Sequence, residues 1–273
     1  MDKLDLIPFG KQLLETNDLD PVYVLLWEAQ LEPEHLKKWL LAYWAFYHVG
    51  TASHIADAKD YWKEFENGVR SVGNTTHPRS TERRHFRGQA AVKSLYFLQG
   101  EDIDGLFGDF DRAAYENRTL SVKDVMEYVQ EWVGFGPWIS FKVADMLERL
   151  KLVRVSFNNA TMFLFDSPRE GAKLAWDMYA IPTKKEYSDS HKQEWAVEII
   201  LESELGDSEA PPRHERNINV QEVETILCKW KSHMGGHYHI GEDIASCRSG
   251  LLRFAKSKTS QRLIAAGKKG KLW

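Results

Sequence analysis

Two groups of side chains in this 273-residue chain have the types and spacing to do chemistry. The first is Arg83, Arg84, His85 and Arg87, in a segment (TERRHFRGQAAVKSLYFLQG) that Thr81 is placed to start as a helix. Cations in the first turns of a helix oppose its macrodipole and cost stability unless an anion sits opposite. Arg84 and Arg87, three residues apart, share one face of such a helix and have the fork geometry to take a phosphate. Surface ion pairing, for example with Glu82, is the alternative use of these charges. The second group is Gln221, Glu224, Cys228 and Lys231, a stripe at i, i+3, i+7 and i+10 behind the helix cap Asn219. It combines a candidate general base, a thiol and a cation. Past Gly235-Gly236, His237, Tyr238 and His239 enter a further polar segment. Cys228, His233, His237 and His239 are zinc-type donors, but their spacing matches no closed zinc pattern, so no metal is expected. The structural alternative buries Cys228 as a small hydrophobe and uses the histidines to cap carbonyls.

The elements that must position these groups read as helices. Asp20-Pro21 and Glu32-Pro33 each open one, with proline where its missing N–H costs nothing. The second, PEHLKKWLLAYWAFYHVG, is apolar on nearly every side past Lys38, as expected of a central buried helix. Gly50 is expected to end it and Ser53 to cap the next, HIADAKDYWKEFENGVRSV. Gly100 to Thr119 reads as an acidic connection without the ligand spacing of a calcium loop. Lys184 to Glu209 reads as a solvated outer helix with Trp195, Ile199 and Ile200 inward, and Pro211-Pro212 as a link to the last module. No period-2 alternation is strong enough to predict a sheet, so the expected class is all-α. The expected division is an N-terminal helical part over 1–120, bearing the arginines, and a second part over 121–273.

Between the two chemical groups lies SVKDVMEYVQEWVGFGPWISFKVADMLERLKLVR, Ser121 to Arg154. Ser121 is a natural N-cap for a helix whose buried face is Val122, Val125, Met126 and Val129. Val133-Gly134-Phe135-Gly136 then makes a tight turn, and Pro137 restarts a helix with Ile139, Val143, Met146, Leu147 and Leu150 inward. Amides exposed at such a helix N-terminus suit a phosphate. An ordinary glycine-turned hairpin gives the same local pattern.

Hydrophobic content of 43% and ten tryptophans indicate a globular chain. No apolar run has the length of a membrane span and the N-terminus lacks a signal-peptide core, so a cytoplasmic protein is expected. Cys228 and Cys247 offer no disulfide framework. A net charge of −4 excludes a wholly basic DNA-coating protein. From Arg248 onward, however, Arg248, Arg253, Lys256, Lys258, Arg262, Lys268, Lys269 and Lys271 occur with no acidic residue, a candidate footprint for a nucleic-acid backbone.

The Gly-x-Gly-Pro turn followed by an amphipathic helix resembles the helix-hairpin-helix element of DNA glycosylases. That resemblance implies a grip on DNA through Val133, Gly134, Phe135, Gly136, Trp138 and Lys142, with Arg248 and Arg253 adding charge. It also places Trp138 and Ser156 where glycosylases carry a catalytic lysine and aspartate. A register slip to Asp166 is the alternative. Without the carboxylate, base excision is disfavoured, since the cation developing on the sugar lacks its partner.

Five blocks in order, YWAFYHVGTAS, ERRHFRG, VGFGPWISFKVADMLERL, QEVETILCKWKSH and GHYHIGEDI, resemble the α-glutamyl/putrescinyl thymine pyrophosphorylase family. These are phage amino acid:DNA transferases related to helix-hairpin-helix glycosylases, and the similarity spans roughly Leu25 to Leu252. The resemblance implies that phosphorylated 5-hydroxymethyluracil in double-stranded DNA exchanges its phosphate or pyrophosphate for an amino acid or polyamine, with no cofactor, in the host cytoplasm if phage-encoded. For that reaction the residues offer Arg83, Arg84, His85 and Arg87 as candidates to stabilise the leaving group, with Arg84, His85 and Arg87 foremost. The candidate base is Glu224, with Cys228 beside it, or a histidine. Lys231 binds an amino-acid carboxylate, and Ser156, Asn158, Asn159 and His237 line a pocket for a flipped base. Base excision by an unusual glycosylase, releasing free base, and a non-catalytic module for modified DNA, with no reaction to lose, are the competing readings.

Overall fold

The computed structural model describes residues 3–71, 76–83, 86–157, 165–180 and 186–273. Among them are thirteen α-helices and a two-stranded sheet, so the chain is all-α as expected. The chain divides into two compact units, each made of two segments: residues 1–21 with 157–243, and 22–156 with 244–273.

In the first unit, α1 (Leu6–Glu15), α9 (Asp166–Tyr179), α10 (Asp189–Leu201) and α11 (Val220–Met234) enclose a core that includes Phe9, Leu13, Ala172, Val197, Ile200, Val223, Leu227 and Trp230. Asn219 starts α11 with a capping box: its side chain accepts from the first-turn backbone while Glu222 accepts from the Asn219 N–H. The outer helix is present as α10, with Ala196, Val197 and Ile200 buried.

In the second unit, α2 (Pro21–Ala29) and α3 (Pro33–Phe46) open at their prolines, and Trp39 to Phe46 are all buried. Tyr47, in the left-handed region at φ 49°, ends α3. Gly50 therefore does not terminate a helix. It lies in the first turn of α4 (Val49–Ala56), where a Cβ would stand 2.0 Å from the Gly250 carbonyl oxygen, so packing explains the glycine. Ser53 is no cap either: its buried hydroxyl accepts from Trp39 Nε1 and donates to the Val49 carbonyl, while His48 caps α4 and Asp60 caps α5 (Tyr61–Arg70).

Thr81 starts only a short 3-10 turn to Arg83, and α6 (Gly88–Tyr115) begins at Gly88. The acidic stretch read as a connection is the second half of α6. Asp102 breaks the helix at φ 54° and its carboxylate accepts from Gly105 N, recapping it. β1 (Thr119–Ser121) pairs in parallel with β2 (Arg154–Ser156), in the register Leu120 to Val155. Three-residue strands are too short to show alternation in the sequence. They clamp the base of the hairpin formed by α7 (Val122–Gln130) and α8 (Pro137–Arg149).

The C-terminal helices α12 (Glu242–Arg253) and α13 (Lys258–Lys269) complete this unit. Asp57, just past α4, accepts from Ser257 Oγ (2.6 Å), Thr259 N (2.9 Å) and Thr259 Oγ1 (2.5 Å) at the start of α13. Burial alone would raise its pKa, but the hydrogen bonds from Ser257 and Thr259 outweigh it and hold the carboxyl below its ordinary value. A depressed folded-state pKa gives stability that is present above the unfolded value, near 3.9, and is lost as pH falls through the folded one. Asp57→Ala should therefore cost about 2 kcal/mol in urea melts at pH 7. The gap to wild type should close below about pH 4.

Candidate functional site

The hairpin turn is built locally and then held from a distance. Ser121 and Asp124 form a capping box that starts α7, Gly134 takes φ 87°, and Pro137 is the first residue of α8. Val133, Gly134 and Gly136 are exposed, and the first amides of α8 have no acceptor inside the helix. Phe135 is buried beneath the turn, and Trp138 packs edge-on against Tyr47, with ring centres 4.9 Å apart. Lys142 is 8% exposed and lies over the Phe141 ring, which removes it from the surface that the sequence assigned to DNA.

Arg83 is the distant support. It is buried, its Nε donates to the Ala45 carbonyl at 3.2 Å, and both terminal nitrogens point to the Gly134 carbonyl at 3.4 Å. Its guanidinium lies over the Phe86 and Phe135 rings at 4.7 and 5.2 Å. Burial lowers its pKa to about 10, which leaves it charged at neutral pH. Arg79 is likewise buried, donating to the Gly68 and Phe86 carbonyls. The expected helix from Thr81 bearing these charges is therefore corrected. Arg83 is an internal clamp, and Arg87 is the exposed N-cap residue of α6. Arg84 and His85 lie outside the described residues, as do Asn158 and Asn159. Arg87 is close enough to depress the pKa of Arg79, after burial, so positive charge gathers at this end of α6. Ser156, at the end of β2, is exposed and its hydroxyl is 3.4 Å from the Leu120 carbonyl.

On α11 the sequence stripe runs from buried to half-buried. Glu224 is 4% exposed and accepts from Thr225 Oγ1 at 3.2 Å, Cys228 is half-buried, and Lys231 is paired with Glu170 of α9 at 2.5 Å. His233 is buried and stacked on Phe9. Its Nε2 accepts from Leu4 N at 3.0 Å, so Nδ1 carries the proton and donates to the Tyr238 carbonyl at 3.1 Å. Both nitrogens are thereby used, in line with the carbonyl-capping reading. His237 is exposed beyond Gly236. Arg248 and Arg253 are exposed on α12. Part of the basic C-terminus is structural instead: Arg262 donates to the Ala29 and Gln30 carbonyls and Lys269 pairs with Glu28.

Sequence reasoning missed two constellations. Asp18 is fully buried and accepts from Tyr238 OH and Gly241 N, with Lys229 bridging to Tyr238 and Asp243. Burial, and then the Asp243 charge, push the Tyr238 hydroxyl well above its ordinary pKa, so this is a fixed neutral donor that ties the N-terminal segment to the stretch following α11. The other joins His54, Glu64 and His77. The first joins segments about 220 residues apart, and the second joins three residues on successive elements at spacings that match no familiar metal-ligand pattern.

Set beside known proteins, residues 5–238 match the profile of the family described as amino acid:DNA transferase, and the chain belongs to that family. It is accordingly a transferase of the DNA-hypermodification class, joining an amino acid or amine to DNA. The chain is 36% identical to a glycinyltransferase of Pseudomonas phage PaMx11, over 97% of this chain and 96% of the relative. It is 22% identical to a putrescinyltransferase of Delftia phage PhiW-14, over 91% of this chain and 79% of the relative. The resemblance drawn from the five sequence blocks is borne out. Among the described residues no helix is long and apolar enough to cross a membrane.

Proposed function

We propose that this chain attaches glycine, through its amino nitrogen, to the 5-methylene carbon of phosphorylated 5-hydroxymethyluracil in double-stranded DNA. The observation that carries the reading is similarity along nearly the whole chain to a glycinyltransferase, well above that to a putrescinyltransferase. In the reaction the methylene C–O bond breaks and a C–N bond forms. The phosphate or pyrophosphate leaves with the bonding pair, and the amine gives up a proton.

In the second unit, the exposed turn at Val133, Gly134 and Gly136 offers helix-end amides to a DNA phosphate. Arg87, with Arg84 and His85, supplies the positive charge that a departing phosphate needs. Ser156, with Asn158 and Asn159, is assigned to the extruded base. In the first unit, Glu224 is the candidate acceptor of the amine proton, because it is a carboxylate on the same helix as Lys231. Lys231 is the candidate for the glycine carboxylate. Its pair with Glu170 is partly solvated, so exchanging one carboxylate for another costs little. Arg248 and Arg253 add long-range attraction for the duplex.

The donor assignment is tested by offering an equimolar mixture of glycine, putrescine and glutamate with DNA bearing 5-phosphomethyluracil or its diphosphate, followed by nucleoside mass spectrometry. The glycine adduct should dominate. A putrescine adduct as the main product would overturn the donor, and no adduct from any amine would overturn transfer from this base.

A further inference from the structure

Three segments of the second unit that are separate in sequence bring imidazole and carboxylate donors together. His54 comes from α4, Glu64 from α5, and His77 from the stretch preceding the 3-10 turn. Glu64 Oε1 lies 3.0 Å from His54 Nε2 and 2.8 Å from His77 Nε2, and one donor atom from each residue falls within 4.8 Å of the others. Two histidines and a carboxylate at this separation are a zinc-type donor set.

The surroundings also match what ligands require. A coordinating histidine uses its other nitrogen to fix its tautomer, and a coordinating carboxylate is itself hydrogen-bonded. His77 Nδ1 faces Thr76 Oγ1 at 3.2 Å, and Glu64 Oε2 accepts from Asn67 Nδ2 at 2.9 Å. His77 is buried among the helices, which fixes its ring, whereas His54 is 44% exposed at its side chain and gives access from solvent. The Phe254 ring lies 5.2 Å from the His54 ring and limits its swing. Burial lowers the His77 pKa, which favours the neutral ring that a metal binds.

We propose that His54, Glu64 and His77 form a binding site for a divalent transition-metal cation of zinc's class. The two Nε2 atoms and a Glu64 oxygen take three positions. The fourth is left to an exchangeable oxygen ligand, water or a phosphate oxygen. Loading requires each Nε2 without a proton: the His77 proton moves from Nε2 to Nδ1, where it is donated to Thr76 Oγ1, and any second proton on either ring is released to solvent. The site stands on this geometry alone and does not depend on the donor or the base that the enzyme uses.

The test uses the full chain, freed of metal by chelator and dialysis, with Zn2+ as the calorimetric probe and Co2+ as the spectroscopic one. A single saturable Zn2+ site and a visible Co2+ band of four- or five-coordinate strength are expected. His54→Ala alters a half-exposed side chain and should leave the thermal melt in place while weakening Zn2+ binding by at least about tenfold. Glu64→Gln should weaken it similarly. His214→Ala, at an exposed histidine paired with Glu209 in the first unit, should change nothing. No saturable Zn2+ binding by the wild-type chain, or binding that survives both His54→Ala and Glu64→Gln, would overturn the site.

Discussion

Arg83→Met should cost the protein about 3 kcal/mol and loosen its hold on DNA together. Methionine keeps most of the volume and the contact with the Phe86 and Phe135 rings, but it has no donor. The Ala45 and Gly134 carbonyls then lose the charged partner that reaches both. Hydrogen bonds to a charged group are worth about 1.5–3 kcal/mol each, and a buried acceptor left without a partner bears its own desolvation cost. The Gly134 peptide is also free to rotate, and with it the amides that the turn presents. A chemical melt reads the first effect, and duplex binding at fixed salt reads the second, where a loss of about tenfold is expected, corresponding to about 1.4 kcal/mol. Arg87→Ala provides the contrast. Arg87 is exposed, so its loss should leave the melt nearly unchanged and instead reduce the salt dependence of binding. A wild-type melt for Arg83→Met would show that the buried guanidinium is not the clamp described here.

Gly171→Ala should destabilise the first unit by about 3 kcal/mol, at the upper end of what one inserted carbon costs in a packed interior. Gly171 lies in α9 where that helix crosses α11. A Cβ there would stand 2.4 Å from the Leu227 carbonyl oxygen and 2.9 Å from its carbon, and the obstacle is backbone rather than a side chain that can swing away. The helices must part. Glu170 and Lys231 lie at the same crossing, and Leu227 precedes Cys228, so transferase activity should fall along with the melting temperature. Gly108→Ala is the control. It lies within α6 with nothing near its added carbon and should be neutral or stabilising by up to about 1 kcal/mol. Equal melts for the two variants would contradict the close crossing.

What could be read from the sequence is what local chemistry specifies. The Ser121 cap, the positive φ at Gly134 and the proline at the head of α8 each act within a few residues, and together they delimit the hairpin. The unbroken apolar run from Trp39 to Phe46 identified the central helix because a helix buried all round needs no amphipathic period. The Asn219 cap and the stripe of α11 were legible for the same reason.

The misses share a different cause. Gly50 has the composition of a helix end, but its reason for being glycine is a helix arriving 200 residues later. Arg83 looked like a surface phosphate ligand beside Arg84 and Arg87. Its acceptors lie 38 and 51 positions away, and only folding shows that they are there. Thr81 looked like a helix start, yet α6 begins at Gly88, because the intervening turn places Phe86 beneath Arg83. The function, by contrast, was legible through the order of five sequence blocks rather than through any one residue, and the family match over residues 5–238 bears out the family they pointed to.

The central claim is that glycine nitrogen replaces phosphate on a base that stays in the DNA. Its most direct test is the intact mass of a duplex carrying a single phosphorylated 5-hydroxymethyluracil, before and after incubation with the enzyme and 15N-glycine. The account predicts a strand that has lost the phosphate or diphosphate and gained one labelled glycine on an unbroken glycosidic bond. A strand with an abasic site and free base in solution would contradict it in favour of base excision. An unchanged mass on DNA that the protein still binds would contradict it in favour of a binding module.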